Sequence, residues 1–171
     1  MTSMREHSLI SGFIVSILLV SCGLNLPEPH ALKYDDKKFN DVANFILNQN
    51  EVHEMDDFTR HHKFINGVSI KLRDGEGNQD GQFLNVAIDS LNLDQNVVME
   101  LRTKLEETSL RDFTMSGDSI LFIVDGFLDN SWGFFYTRRG AEMDSTWFTF
   151  DGHSVKFVED INDKWKRAAI R

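Results

Sequence analysis

Three groups of side chains have the types and spacing for chemistry. His53-Glu54-Met55-Asp56-Asp57 begins as a His-Glu-x-x-His zinc site would, with Asp57 at the place of the second histidine. In a helix His53, Asp57 and His61 recur every four residues and His62 adds another nitrogen, so imidazole and carboxylate would share a face able to hold a divalent metal. A metal-dependent hydrolase using residues 53–62 is the functional alternative this pattern defines; its competitor is a solvated helix face. Asp74, Glu76, Asn78 and Asp80 alternate as oxygen ligands do in a calcium loop. Gln79 and Asn85 occupy the places where that loop requires glycine and glutamate, so a polar surface turn is expected instead.

The third group is aromatic. Phe127, Trp132, Phe134, Phe135 and Tyr136 lie close in sequence, with Trp147, Phe148 and Phe150 further on. Strand alternation puts Trp132, Phe134 and Tyr136 on one face and Phe135 on the other. Phe148 and Phe150 are expected in the core, with Trp147 turned the opposite way. If one face stays uncovered, Phe127, Trp132, Phe134, Tyr136 and Trp147 form a surface for a ligand or partner. The competing arrangement is a second layer, or a sheet curved enough to bury both faces. No Gly-x-Ser-x-Gly elbow and no phosphate-cradling glycine loop occurs in the chain.

Cys22 is the only cysteine, and its surroundings are distinctive. An apolar run over residues 9–20 falls short of the roughly 20 residues that span a bilayer, but fits the apolar region of a cleavable secretory signal. Behind it come Leu19, Val20, Ser21 and Cys22. An aliphatic residue, a tolerated second position, a small residue and then cysteine resembles the lipobox of bacterial lipoproteins. The leader departs from the usual pattern in its weak positive charge, with Arg5 beside Glu6. The resemblance implies a diacylglyceryl group on the Cys22 thiol, cleavage before Cys22 and acylation of the new amino terminus. Two or three acyl chains anchor stably where one holds only marginally. The expected organisation is a signal peptide over 1–21, a lipidated cysteine and tether over 22–33 holding both prolines, Pro27 and Pro29, and a globular domain over 34–171. The expected address is the bacterial cell envelope, with the domain facing the periplasm or the exterior.

The 18 basic and 27 acidic residues give a net charge of −9, and the leader removes one of each, so cleavage leaves the balance unchanged. Such a chain is ill suited to nucleic acid, whose phosphates need a basic stripe. It favours a basic protein or a small cationic ligand as partner, beside the membrane reached through the lipid. With Cys22 lipidated no disulfide is available, and no cofactor beyond the covalent lipid is expected. Hydrophobic contacts must make the core, for which 14 Phe, three Trp and two Tyr supply large areas.

The elements that position these residues follow from periodicity. Phe39, Val42, Phe45, Ile46 and Gln49 predict a helix from Asp36, capped by Asp35 or Asp36. Val52, Met55 and Phe58, spaced by three, predict a second short helix within 51–63. Asn66-Gly67 opens a strand with Val68, Ile70 and Leu72 alternating. Leu93, Val97, Leu101 and Leu105 predict a further helix, with Asn92 and Gln95 as a capping box. Short strands are then expected over 110–115, 119–125, 132–138, 146–150, 153–159 and 165–170, with Ser116-Gly117-Asp118 and Asp151-Gly152 as turns. Arg138-Arg139 and Lys164, Lys166 and Arg167 are the basic clusters, expected at a strand edge. Together these predict an α+β fold, two or three helices on one face of a curved antiparallel meander.

Overall fold

The computed structural model describes residues 32–59, 62–71, 88–110, 112–127 and 130–171, without the side chains of 57–64, 69–71 and 125–130. Helix α1 (Asp36–Asn48) forms where expected: the Asp35 carboxylate accepts from the Lys38 amide at its start, and Phe39, Val42, Ala43 and Ile46 make a buried stripe. The Gln49 carboxamide ends it by accepting from the amides of Glu51 and Val52 while donating to the Ile46 carbonyl. Helix α2 (Gln95–Thr108) buries Val98, Leu101, Leu105 and Thr108 and packs on α1. Its cap is Asp94, which accepts from the Asn96 amide; Asn92 instead takes a left-handed φ of 52°, so the cap lies two residues beyond the expected one and, with Val97 three residues after it, forms no capping box. Residues 88–91 are also helical.

Among the described residues nine strands form one antiparallel sheet: β1 (Glu54–Thr59), β2 (His62–Ile65), β3 (Val68–Lys71), β4 (Asp112–Ser116), β5 (Ser119–Phe127), β6 (Asn130–Thr137), β7 (Phe148–Phe150), β8 (His153–Asp160) and β9 (Trp165–Ile170). Their order is β3-β2-β1-β4-β5-β6-β9-β8-β7. The helix expected within 51–63 is therefore replaced by β1 and β2. Pairing of Met55 with both Ile65 and Phe113 supplies what the local three-residue spacing could not reveal. Among the described residues tight turns fall at Asn66-Gly67, Gly117-Asp118 and Asp151-Gly152, with both residues of the first and last at positive φ as two-residue hairpins demand. The chain departs from a simple meander twice: β4 pairs with β1 rather than β3, and β9 inserts between β6 and β8.

The register sorts side chains onto two faces. Met55, Phe113, Phe122, Phe134, Tyr136 and Trp165 share one, and Phe39 of α1 meets it, its ring 5.0 Å from Phe134 and 5.3 Å from Trp165. Leu121, Phe135, Val155, Phe157, Ala168 and Ile170 share the other and are buried as well. Curl accounts for this second core. Phe150 of β7, three strands along the sheet from β6, brings its ring within 5.1 Å of Phe135, and the Thr114 hydroxyl on β4 donates to the Asp151 carboxylate at the β7–β8 turn. Close approach at Gly133 belongs to the same curvature: a Cβ there would lie 1.8 Å from the Phe122 carbonyl oxygen, so only glycine fits. Residues 34–171 thus form one compact α+β unit.

Candidate functional site

Asp36, Asn40, Asn44 and Asn48 follow one another every four residues and so line a single polar stripe of α1, along the flank of its buried face. The turn joining β8 to β9 faces the first three of them. Asn162 builds that turn: its side-chain oxygen accepts from the amides of Lys164 and Trp165, at 2.9 Å each, an Asx turn. Lys166 fixes the turn from beneath, its ammonium donating to the Asp160 carboxylate and to the Asn162 carbonyl. Between the two walls runs a cleft of about 430 Å³ lined by Asp36, Asn40, Asn44, Tyr136, Asn162, Asp163 and Lys164.

Part of this polar lining is spent on holding the walls together. Trp165 donates its indole N–H to Asn40 Oδ1 at 2.9 Å, Tyr34 donates its hydroxyl to Asp36 at 2.7 Å, and Asn162 Nδ2 donates to the Tyr34 oxygen at 3.1 Å. Burial and the Asp36 carboxylate push the Tyr34 hydroxyl well above the usual phenol range, so it stays a donor. At the far end Arg138 donates to Asn48 Oδ1. What remains is available to a ligand. Tyr136 is 1 % exposed and lines the cleft, yet its hydroxyl makes no hydrogen bond among the described residues. The exposed Asn44 carboxamide likewise has no partner among them. Burial pushes the Tyr136 hydroxyl up, with Arg138 partly offsetting it, so this group too remains a neutral donor and acceptor.

A second polar group sits on the far face. Glu54 pairs with Thr114 and Asp56 with Asp112 across β1 and β4, gathering three carboxyls on one surface. Burial, reinforced by the charges of Asp56 and Glu54, pushes the Asp112 carboxyl up to about 8; burial and the nearby Asp151 raise Glu54 as well. Among the described residues no group of three or more histidines and carboxylates has metal-binding geometry.

The residues singled out from sequence scatter in this fold. His53 is exposed just ahead of β1 and Asp57 lies within that strand, about 13 Å further on at strand spacing, so the shared helical face does not form. His61, the residues of the 74–80 loop and Cys22 lie outside the described residues. Phe134 and Tyr136 are core residues under α1, not members of an outward patch; covering by the helix and packing on Trp165 explain it. Trp132 is half-buried with its ring 6.1 Å from Phe134, and Trp147, 40 % exposed, carries the Arg171 guanidinium 4.2 Å from its ring centre. Phe127 falls in β5 with its side chain outside the described residues. Lys166 is 1 % exposed and Arg167 half-buried, because β9 is an interior strand of the sheet where an edge was expected. Among the described residues no helix is long and apolar enough to cross a membrane. No protein-family model matches the chain, and neither a curated protein nor a solved structure resembles it significantly.

Proposed function

We propose that the chain is a bacterial lipoprotein, held in the cell envelope by acyl chains on Cys22, whose α+β domain binds a ligand or another protein without catalysing a reaction. The observation that carries the anchor is Leu19-Val20-Ser21-Cys22 directly behind an apolar run too short to span a bilayer. A tether over 22–33 would reach at most about 40 Å if extended, keeping the domain within a few tens of ångströms of the lipid. The binding role draws support from the cleft beside α1, whose volume lies in the range of small-ligand sites and whose lining keeps hydrogen-bonding groups unused. Both helices belong to one layer on the α1 side of the sheet in this reading, leaving the polar stripe of α1 open to a partner.

Intact-mass measurement of the full-length chain made in a bacterial host tests the anchor. The expected species lacks residues 1–21, carries a diacylglyceryl group on Cys22 and enters the detergent phase on partition. Cys22→Ala should keep its leader and gain no lipid. Wild-type protein with a free thiol and an uncut leader would overturn the proposal.

A further inference from the structure

Beyond the general binding role, and resting on it, we propose that the cleft between α1 and the β8–β9 turn takes the main chain of an extended peptide of about four residues bearing a basic side chain. The first argument is spacing. Carboxamides four residues apart on a helix recur every ~6 Å, and alternate residues of an extended chain recur every ~6.6 Å, so Asn40 and Asn44 can each meet one peptide unit. A carboxamide has one acceptor and two donors, the complement of a backbone C=O and N–H. From Asp36 to Asn44 the stripe runs ~12 Å, the length of about four extended residues.

The second argument is the unused capacity. Asn40 lines the cleft and spends its oxygen on the Trp165 indole, which leaves its NH2 as a donor. Asn44 is unengaged among the described residues, and the Tyr136 hydroxyl lines the cleft with no hydrogen bond among them. That oxygen is not among the buried atoms left without a partner, so it is a group whose water an incoming peptide can replace. Charge is the third argument. Asp36 and Asp163 against the single Lys164 leave the lining acidic, which suits a lysine or arginine on the incoming chain. A sugar would want an open aromatic face to stack on, and Tyr136, the aromatic member of the lining, is 1 % exposed and has no face to offer.

The test titrates the full-length chain in detergent micelles with the blocked peptide Ac-Ala-Lys-Ala-Lys-Ala-NH2, following the side-chain NH2 signals of Asn40 and Asn44 by NMR. Saturable shifts of both are expected. Binding should weaken about tenfold in Asn44→Ala and in Tyr136→Phe, and about tenfold when the peptide backbone is N-methylated with its side chains kept. Asn44 is exposed on α1, so its alanine variant should fold as wild type, with circular dichroism as the control. Absence of saturable shifts up to millimolar peptide, indifference to N-methylation, or preferential saturation by chitotetraose would each overturn the assignment. A chain that binds the peptide but carries no lipid would sink the anchor alone. A lipidated chain that ignores the peptide would sink this assignment and leave the anchor standing.

Discussion

The two faces of the sheet are buried by different means. On the α1 side, helix and sheet interlock through aromatic rings: Trp165 lies 5.3 Å from Phe39, 5.7 Å from Phe122 and 4.8 Å from Tyr136, all of them buried. On the far side the sheet covers itself, by curling β7 over β6 so that Phe148 and Phe150 reach Phe135. Helix cover excludes water along the length of the contact, whereas curl closes the far core around β5, β6, β9, β8 and β7 and brings the β7–β8 turn to Thr114 of β4. Beside that turn, on β1 and β4, lie Glu54, Asp56 and Asp112, and burial with the charges of the first two raises the Asp112 carboxyl. Stability should therefore reside on the α1 side and sensitivity to solution conditions on the far side.

The sharpest way to break this contrast is to truncate one ring from each core. Trp165→Ala should cost about 3–5 kcal/mol, the range for a large buried aromatic that also leaves Asn40 without its indole donor. Phe148→Ala, half-buried, should cost about 1–2 kcal/mol. Urea denaturation of both variants decides it, and equal losses would mean that curl seals as well as a helix does.

Next in size is a pH effect confined to the far face. The Asp112 carboxyl is raised when folded, to about 8, above its usual 3.8. Between those values the folded chain holds a proton that the unfolded chain has lost. This group therefore makes stability fall as pH rises from about 4 to 8, by at most ~1.4 kcal/mol per pH unit, with no further change above that window. Asp112→Asn should abolish this component, and urea midpoints compared at pH 5 and pH 8 would show the wild type losing ground that the variant keeps. Parallel profiles would mean that water reaches this carboxyl freely. The smallest effect is expected at Trp147→Ala, where removing an exposed ring and its Arg171 contact should cost about 0.5–1 kcal/mol by the same denaturation measurement.

Local chemistry made much of this fold legible. Asn66-Gly67, Gly117-Asp118 and Asp151-Gly152 mark their hairpins because few residues accept a positive φ, and the apolar spacing of Phe39, Val42 and Ile46 specifies α1 directly. What escaped was decided at long range. Val52, Met55 and Phe58 imitate a helix until Met55 pairs with Ile65 and Phe113. Lys166 and Arg167 read as edge residues until β9 inserts inside the sheet, where Asp160 and Glu159 pair with them. The cleft is half legible. Its Asp36, Asn40 and Asn44 stripe stands in the sequence at helical spacing, while Tyr136 and the 162–164 wall arrive only through the tertiary pairing of β6 with β9.

The place of β9 sets a schedule for assembly. Synthesis delivers a polypeptide from its amino end, and residues 165–170 emerge after every strand they must join. Until then β6 and β8 present open rims, ready to recruit a stray strand from a neighbouring molecule. An emerging chain stalled short of Trp165 would be a sticky half-product. Protection by a holdase, or rapid removal by a protease, is what such a half-finished sheet would need.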